Sequence, residues 1–320
     1  MTAHDLLSVY EMSINVRVAW QAHSLSNAGN DGSIRLLPRR QLLADGVEVD
    51  ACSGNIAKHY HAMILAEYLE ADGIPLCPAC AERDGRRAAA LYGLPGYENM
   101  TVASALSECA LCDTHGFLLP AKKASGDEPP RPRLSKHSLV EFSYALALPD
   151  HHAETVQLTT RSGDGKEDGQ MLMKMSARSG KYALCVRFKS AGIGVDTDKW
   201  TIVVQDQEER HRRYRATLAA MLDQLLSPSG ALTSAMLPHP TGLNGVIVVQ
   251  PRVGRAPLYS ALESDFAVVL KAMASDTCLI FPFESADEFS ILMNQLIKTS
   301  VPVLPAKPRR VKLVQPEHDR

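Results

Sequence analysis

The sequence lacks the long apolar segments by which membrane and secreted proteins are recognised. Its 320 residues contain no stretch of about 18 consecutive apolar residues, the length that a membrane-spanning helix needs. The opening residues MTAHDLLSVYEMS carry neither a basic segment nor a long apolar one, so they do not resemble a secretory signal peptide. We therefore expect a cytoplasmic protein with no membrane partner.

A net excess of either charge is also missing. The chain has 34 Lys and Arg residues against 36 Asp and Glu residues, a formal net charge of −2. The total charge therefore indicates no particular partner, and a nucleic-acid-binding protein of this composition needs locally clustered cations. The hydrophobic content of 45% is ordinary for a globular protein and is sufficient for a substantial core.

The common signatures of catalysis are absent as well. The sequence has no G-x-S-x-G, no G-x(4)-G-K-[ST], no H-E-x-x-H and no convincing pair of carboxylates. The H-x-E of residues 152–154 follows the cysteine pairs, whereas zinc deaminases place H-x-E before P-C-x-x-C. His151 and His152 beside Glu154 offer an acid and a base, but on a loop without a partner an incidental placement is the simpler interpretation. We therefore expect no enzymatic activity.

Periodicity predicts a mixture of strands and helices. Apolar residues alternate with polar ones over residues 13–25, which is typical of a half-buried strand. Apolar residues at helical spacing predict a helix over residues 53–71. Because the elements follow no regular strand–helix alternation, we expect an α+β sheet core with insertions. The other predicted strands are residues 137–149, 181–194, 244–251 and 277–283, and the other predicted helices are residues 208–226, 260–274 and 285–298.

Four of the seven cysteines form two C-x2-C pairs. Each pair presents two thiolates on one tight turn, and two such turns make a tetrahedral zinc site of the structural kind, with four cysteine ligands. The separation between the pairs is longer than in a common zinc ribbon and leaves room for a helix. His115 is an alternative fourth ligand, and two reduced pairs without metal are the competing interpretation. The predicted zinc ligands are Cys77, Cys80, Cys109 and Cys112.

The start of the helix at residue 53 combines features of an anion site. Ser53 and Asn55 lie where free backbone amides and the positive end of the helix dipole attract a phosphate. Lys58 and His59 follow one turn later, where cations are mildly unfavourable unless an anion is present. The alternative is an ordinary serine cap with a solvated lysine.

Further basic segments have simple alternatives. Arg39 and Arg40 precede that helix and would add cations to a phosphate site, although a solvated charge pair is an equal alternative. The basic residues within 208–215 favour a solvated helix face or a contact between subunits over a nucleic-acid site. The tail, residues 301–320, is basic and interrupted by prolines, which is typical of a mobile terminus.

A later stretch places methionines at every second position, at Met171, Met173 and Met175, with Lys174 and Arg178 among them. As a strand, this stretch would direct the three thioethers to one face and Lys174 to the other. Core packing is the plain interpretation. The alternative is an apolar wedge between the bases of a nucleic acid, because methionine conforms to many shapes.

Four segments of the sequence occur in the same order as in a known protein family. In these segments the chain resembles the DevR-type CRISPR-associated autoregulator family, whose members form the repeated backbone subunit of type I, Cascade-like effector complexes. The resemblance rests mainly on the opening strand and on the helix that begins with S-G-N, and it covers residues 12–300 in arrangement. The four segments are SINVRVAWQAHSLSNAGN, SGNIAKHYH, LCDTHGFL and HSLVEFSYALAL.

The resemblance implies an α+β fold with a modified RRM (ferredoxin-like) palm, a finger-like insert and a β-hairpin thumb. The palm would comprise residues 12–71 and 137–300, the insert with its zinc knuckles residues 72–136, and the thumb about residues 155–180. Copies of such a subunit stack as a helical filament along the crRNA. Each thumb flips out one nucleotide, and the bases between remain free to pair with target DNA. Type I members have no nuclease activity, and the cysteine pairs depart from many family members.

The resemblance also assigns roles to residues of this sequence. The start of the helix at residue 53 would line a groove for the RNA phosphates, and Arg17 with Gln21 would present a strand edge to the RNA. The methionine row falls at the thumb, so one methionine becomes a candidate wedge with cations beside it. The expected RNA-binding residues are Arg17, Gln21, Arg39, Arg40, Ser53, Asn55, Lys58, His59, Met171, Met173, Lys174 and Arg178.

The leading hypothesis is a non-catalytic, crRNA-binding filament subunit of an antiviral ribonucleoprotein with structural zinc. Its expected partners are crRNA, target DNA, further copies of itself and other effector subunits. Two alternatives stay open. A zinc-ribbon regulator or scaffold would bind duplex DNA or protein only. An RNA-processing endonuclease on a related fold would cut repeat RNA without metal, using His59, His61 or His151 as acid or base.

Overall fold

The computed structural model of the protein describes residues 6–26, 29–31, 34–36, 40–123, 130–162 and 170–303, and for several strand residues, including 150–162 and 170–176, it describes the backbone alone. Strands predominate in these ranges. They are β1 (Leu7–Val9), β2 (Glu11–His23), β3 (Gly29–Asp31), β4 (Ile34–Leu36), β5 (Arg40–Leu42), β6 (Glu48–Cys52), β7 (Phe117–Leu119), β8 (Leu134–Lys136), β9 (Val140–Phe142), β10 (Ala145–Ser162), β11 (Gln170–Phe188), β12 (Val195–Asp196), β13 (Thr201–Ile202), β14 (His239–Gln250), β15 (Leu279–Phe283) and β16 (Ser300–Pro302).

The long helices begin at side chains that cap them. Ser53, Asp206 and Ser285 each accept a hydrogen bond from a backbone N–H of the first turn, so these helices start close to the predicted positions. The helix expected at 260–274 is shorter than predicted. Within the described ranges, no helix is long and apolar enough to cross a membrane. The helices are α1 (Gly54–Ala71), α2 (Pro78–Ala81), α3 (Val102–Glu108), α4 (Ala110–His115), α5 (Gln207–Leu226), α6 (Phe266–Met273) and α7 (Ala286–Thr299).

One large sheet organises the described part of the chain. Its strands follow the order β15-β14-β2-β11-β10-β6-β5, and every neighbouring pair along this path is antiparallel. β4 and β9 also pair with β11. β2 is hydrogen-bonded to β11 on one side and to β14 on the other, so it is an interior strand. The mixture of helices and strands expected from the sequence is confirmed.

The two faces of this sheet carry separate cores. Alternate residues of β2 and β11 are buried together, as the periodicity predicts, and α5 and α7 cover them. The opposite face packs Val246 and Val248 of β14 against Phe266 and Leu270 of α6. The buried residues that β2 and β11 contribute to the first core are Met12, Ile14, Val16, Val18, Trp20, Tyr182, Leu184, Val186 and Phe188.

The segment that carries the cysteine pairs packs on α1 and α5. Its short helices bury Leu106 and all four paired cysteines against Leu65 and Leu69 of α1 and Ala216 and Ala220 of α5. The insert therefore shares a core with the two helices rather than standing clear of them. The division of the chain into palm, insert and thumb stays a prediction.

The single strand predicted over residues 137–149 is divided in two. Ser143 and Tyr144 separate β9 from β10, although both strands pair with β11. Ser143 bonds the same β11 residue twice, because its N–H donates to the carbonyl of Cys185 and its Oγ accepts from the N–H of Cys185. The hydrogen bond to the Ser143 side chain replaces a backbone hydrogen bond of the sheet, so β11 stays bonded where β9 and β10 are interrupted.

Candidate functional site

The four paired cysteines meet in one buried cluster. Cys77 caps α2 and Cys109 caps α4, so each pair spans the first turn of a short helix. All four sulfur atoms lie within 4.8 Å of one another. The sulfur of Cys112 lies 3.6 Å from that of Cys80 and 3.8 Å from that of Cys77, and all four thiols are free. The structure thus brings together the predicted ligands in an arrangement compatible with a metal ion.

Contacts among the four thiols leave two cysteines with a lowered pKa, Cys77 and Cys109, and two with a raised pKa, Cys80 and Cys112. Hydrogen bonds from the other three thiols lower the pKa of Cys109. The same contacts with Cys109 raise the pKa of Cys80 and Cys112. A central cation would remove this difference, because zinc binds thiolates and releases their protons.

His115 does not belong to the cysteine cluster. Its Nε2 lies 2.8 Å from Nδ1 of His61, and Nε2 of His61 lies 3.3 Å from the carbonyl oxygen of Thr217. A carbonyl only accepts, so we assign the proton of His61 to Nε2, and its Nδ1 accepts from Nε2–H of His115. Burial lowers the pKa of His61 to about 4 and the pKa of His115 well below its usual value. Both rings are therefore neutral near pH 7, and the structure favours cysteine as the fourth ligand.

A buried ion cluster follows the second cysteine pair along α4. Oδ2 of Asp113 accepts from Nη1 of Arg213 at 3.1 Å and from the backbone N–H of Gly194 at 2.7 Å. Nζ of Lys136 lies 3.4 Å from the other carboxylate oxygen. This cluster joins α4, α5 and β8, so it fixes the insert against the rest of the chain.

The prediction of a solvated helix face over residues 208–215 is wrong for Arg210 and Arg213, although Arg215 is exposed. Arg210, Arg213 and Tyr214 are buried. Nε of Arg210 donates to the carbonyl oxygen of Ile193 at 2.9 Å, and Nη1 of Arg213 donates to that of Leu106 at 2.9 Å. Acceptors supplied from distant parts of the chain replace the water that these guanidinium groups lose.

The residues predicted at the start of α1 do not converge on one site. Oγ of Ser53 accepts from the N–H of Asn55 at 3.2 Å, which is the ordinary serine cap. Ser53 lines a small apolar pocket, whereas Lys58 lines a different groove, and Asn55 and His59 are exposed. Five residues turn a helix by about 500°, so Lys58 points about 140° away from Ser53.

Lys58 faces a groove between α1 and the insert, which we call the insert groove. Its volume is about 550 Å³. The cations on its walls come from α1, from the 3-10 turn Arg87–Ala90 and its preceding residue, and from β8. Its lining residues are Lys58, Gly85, Arg86, Arg87, Ala89, His115, Gly116, Phe117, Leu118, Leu119, Pro120, Lys136, His137 and Ser138.

A second groove, which we call the sheet groove, lies over β2, β11 and β14 and has a volume of about 770 Å³. Arg17 and Gln21 both line it, as do Lys181 and Asn244. Gln21 and Lys181 are exposed. The predicted pair therefore shares one surface, but not as a strand edge, because β2 is paired on both sides. That part of the prediction is wrong.

Arg17 has a structural role in this groove. Its guanidinium donates to the carbonyl oxygens of Ala261 at 2.5 Å and Glu263 at 2.8 Å, and it lies over the ring of Phe266 at 5.3 Å from the centroid. These contacts tie β2 to the segment before α6. Gln21 and Lys181 are thus the more accessible polar side chains of the sheet groove.

β10 and β11 form a long antiparallel hairpin. Its register pairs Leu158 with Lys174 and Thr159 with Met173, and pairing continues to Ser162 and Gln170 at the far end. The strand predicted for the methionine row is confirmed, and Met171, Met173 and Met175 occupy alternate positions in it. Their side chains lie outside the described part of the chain.

Arg178 does not lie on a nucleic-acid surface. It is buried, and its Nη1 donates to Oδ2 of Asp50 at 3.0 Å. The predicted phosphate contact is wrong for this residue, because a buried carboxylate on β6 takes the guanidinium as its partner. Arg39 lies outside the described residues. Arg40 is described by its backbone alone, in register with Asp50 on β6.

Sequence reasoning missed two residues of the insert groove. Arg87 has a φ of 54° and donates from Nη1 to the carbonyl oxygen of Gly116 at 3.2 Å. Gly116 ends α4 with a φ of 70°. A glycine directly after a helix was an available signal for the second residue. An arginine beside a run of alanines gave none for the first.

Comparison with known proteins places the chain in a family. A curated CRISPR-associated protein Cas7/Cst2/DevR from Thermoproteus tenax is 27% identical over 230 residues, which covers 68% of this chain and 68% of that protein. Two solved structures of a CRISPR RNA-guided surveillance complex, one of them pre-nicking, are each 13% identical. The pre-nicking structure has a TM-score of 0.49 and covers 89% of this chain and 99% of its own, and the other has a TM-score of 0.44 and covers 84% and 87%.

The sequence profile of a CRISPR-associated family covers most of this chain. The family is described as the CRISPR-associated negative auto-regulator DevR/Csa2, and its profile matches residues 14–266. This range runs from β2 to the start of α6, so it includes both cysteine pairs, the hairpin, the insert groove and every lining residue of the sheet groove except Glu284. The chain therefore belongs to the DevR/Csa2 family of CRISPR-associated proteins.

Proposed function

We propose that the protein is a non-catalytic backbone subunit of a type I CRISPR effector complex. In this role it binds crRNA, assembles with further copies of itself and with other subunits, and presents the guide for pairing with target DNA. The observation that carries the proposal is the family match over residues 14–266. The alternatives of a zinc-ribbon regulator and of an RNA-processing endonuclease are separated from it by the experiment described below.

The strand order supports an RRM-like palm. Four strands of the large sheet lie in the order β14-β2-β11-β10, with α1 after β2 and α5 between β11 and β14. Numbered along the chain, these elements read βαββαβ with the sheet order 4-1-3-2, which is the ferredoxin-like arrangement. RRM domains use such a four-stranded sheet to hold single-stranded RNA.

The sheet groove supports a contact with the RNA backbone, and the hairpin supports a contact with the RNA bases. Gln21, Lys181 and Asn244 provide polar groups along the groove. A polar groove of this kind holds a nucleic-acid backbone irrespective of its sequence. The paired strands of β10 and β11 run far beyond the β2 pairing and carry the methionine row outward. In this proposal the hairpin is the thumb, and one of its methionines separates two bases of the guide.

We propose further that the cysteine cluster holds a structural zinc ion. Tetrahedral zinc with sulfur ligands at about 2.3 Å places the sulfurs about 3.8 Å apart. Sulfur–sulfur distances of 3.6 and 3.8 Å fit this geometry, and a closed set of four cysteines leaves no position for a substrate. The ion would join α2 to α4 within the insert, whose short helices cannot form a large core alone.

The surroundings of His59 and His61 support a non-catalytic role, whereas the side chain of His151, the third candidate, lies outside the described part of the chain. His61 and His115 are buried, neutral and bonded to each other, so they do not form an exposed acid and base. His59 is exposed and contacts the ring of Tyr60. A catalytic role for it would require a partner that α1 does not supply.

The experiment compares binding of the purified protein to single-stranded RNA and to duplex DNA of the same sequence. The proposal expects tighter binding to RNA, a strong dependence on salt, and no cleavage of a repeat-containing RNA during incubation. Binding to the duplex alone would support the regulator instead. Cleavage that continues in a chelator and is lost in His59→Ala would support the endonuclease.

A further inference from the structure

A further groove, which we call the terminal groove, lies where the chain enters β2. Its volume is about 440 Å³. Tyr10, Leu139, Trp200 and Val253 provide its large apolar side chains. Trp200 is 45% exposed and Val253 is 75% exposed, so two of the four meet water. Covering such surface is favourable, and exposed apolar patches next to polar residues are typical of docking sites.

The loop between β12 and β13 holds Trp200 in its exposed position. Oδ1 of buried Asp196 accepts from the backbone N–H of Asp198 at 3.1 Å and from that of Lys199 at 3.4 Å, which fixes the turn before Trp200. Trp200 has a φ of 51°, which is unfavourable for a residue with a bulky side chain. Such a conformation persists only where the surrounding structure enforces it. The fold thus keeps an indole ring at the groove despite backbone strain.

The charged residues of the terminal groove leave one acid without a partner. Arg255 is paired with Glu11 at 2.8 Å, and Lys189 is paired with Glu141. Asp198 lines the groove and is exposed, and among the residues that the structure describes its carboxylate forms no ion pair. An occupant that carries a cation would therefore match the groove better than one that carries an acid.

The last described residues lie at the edge of this groove. β16 runs parallel to β1 with Pro302 opposite Val9, and the N–H of Val303 donates to the carbonyl oxygen of Val9 at 2.9 Å. The residue after Val9 is Tyr10, which lines the groove. Because the two strands are parallel, the backbone at Val303 points in the direction of Tyr10. The segment 304–320 is therefore attached beside the groove.

The sequence of this segment suits an apolar groove with an unpaired acid. Prolines recur at every third position, at Pro302, Pro305 and Pro308, and the nearby Lys307 and Arg309 are basic. The polyproline II helix has three residues per turn, so in that conformation the prolines share one face. Proline-rich segments of this kind bind grooves lined by aromatic side chains, and they lose little entropy because they are already extended.

We propose that the terminal groove is the docking site of the chain's own C-terminal segment, residues 304–310, bound as polyproline II. Its prolines cover Trp200 and Val253, and one of its basic residues neutralises Asp198. The occupant comes from the same chain because β16 holds the segment beside the groove, which makes its effective concentration there high. The proposal does not depend on RNA binding.

The first test is iodide quenching of tryptophan fluorescence in the RNA-free, full-length protein. Trp200 reports on the groove, because the other tryptophan, Trp20, is only 6% exposed. The double variant Pro305→Gly and Pro308→Gly disfavours polyproline II without a change of charge, and Pro316→Gly is the control outside the docked segment. The double variant should shift the Trp200 emission to longer wavelength and increase its quenching, whereas the control should change neither. Equal quenching in all three proteins would overturn the proposal.

Two matched variants test the groove itself. Val253 lines it and Val268 of α6 does not, although the two are similarly exposed, at 75% and 71%. Trypsin cleavage after Arg310, followed by mass spectrometry, reports the release of the segment. Val253→Asn should accelerate this cleavage about tenfold, because it removes apolar contact and cleavage follows the population of the released segment. Val268→Asn should leave the rate unchanged, and equal rates in the two variants would contradict the assignment.

The dependence on protein concentration identifies the occupant. A segment bound within its own chain gives the same quenching of Trp200 and the same cleavage after Arg310 at low and at high concentration. Protection that develops only as the concentration is raised would place the segment of a second copy in the groove, and it would overturn the proposal of a contact within one chain.

Discussion

The guanidinium of Arg213 donates to the carboxylate of Asp113 at 3.1 Å, and both side chains are fully buried. The pair joins α5 to the helix that carries the second cysteine pair. Removal of one partner of a buried pair leaves an uncompensated charge, so it costs more than the pair itself contributes. The insert and the sheet-covering helices are therefore expected to unfold together.

Arg213→Met should lower the free energy of unfolding by about 3–5 kcal/mol, because Asp113 keeps only Lys136 as a cation in the core and Glu209 loses its ion pair with Arg213. Arg215→Gln is the matched control on the same helix, since Arg215 is exposed and its ion pair among the described residues is with the exposed Glu208. It should cost less than about 1 kcal/mol. Urea denaturation measures both variants, and similar losses would show that the buried pair does not fix the insert.

Gly116→Ala should destabilise the protein by at least about 2 kcal/mol, because a positive φ and a collision with the Lys136 carbonyl act together. Gly93→Ala is the control for the backbone effect alone. Its φ is 83°, but a Cβ there meets nothing within 4 Å, so the expected cost is about 1 kcal/mol. Thermal unfolding followed by circular dichroism ranks the two, and a larger loss for Gly93→Ala would contradict the account of this junction.

Stability should fall as the pH is lowered from about 6.5 towards 4. Burial lowers the pKa of His23 and of His61 to about 4 and lowers that of His115 further. In this window the unfolded chain binds protons at these histidines and the folded chain does not, so each contributes a slope of up to about 1.4 kcal/mol per pH unit. Above about pH 7.5 these rings are neutral in both the folded and the unfolded chain, so they contribute no slope.

Urea denaturation at several pH values measures this effect, and His23→Gln should make the slope shallower. His137→Gln is the control, since His137 is exposed, and it should leave the slope as in the unmodified chain. A stability that rises as the pH falls through this window would contradict the assignment of neutral buried rings.

Metal analysis of the purified protein should find about one zinc per chain, held by the four cysteines. Cys109→Ser should lose the zinc and lower the unfolding temperature, because its sulfur is in contact with the other three. Cys185→Ser is the control, since Cys185 lies outside the cluster. Full zinc content in Cys109→Ser, or no zinc in the unmodified chain, would contradict the proposal that the four cysteines bind zinc.

Local features of the fold could be predicted because they depend on neighbouring residues. Short stretches of sequence are sufficient to predict the helix that begins after Ser53, the strand β2 and the cysteine cluster. The cysteine cluster in particular needs only that two tight turns approach each other. The methionine row was considered as a strand from its alternation and as part of a hairpin from the family resemblance, and it lies in β11.

Long-range partners could not be predicted from the same patterns. The burial of Arg213 depends on Asp113, one hundred residues earlier, and that of Arg178 depends on Asp50. The sequence placed Arg213 on a solvated helix face and Arg178 beside RNA phosphates, because nothing near either residue marks a buried carboxylate. Ser53 and Lys58 looked like one site because they are close in sequence at the start of a helix. The helix directs the two side chains to different sides, and the surrounding elements then place them in two separate pockets.

The central claim is that copies of this protein assemble along crRNA. The most direct measurement is nuclease digestion of the RNA that co-purifies with the protein, followed by sequencing of the protected fragments. The account predicts guide-derived RNA whose accessible positions recur at a regular interval, set by one hairpin per copy. RNA without any periodic protection, or a preparation that carries no RNA and binds none when it is added, would contradict the claim.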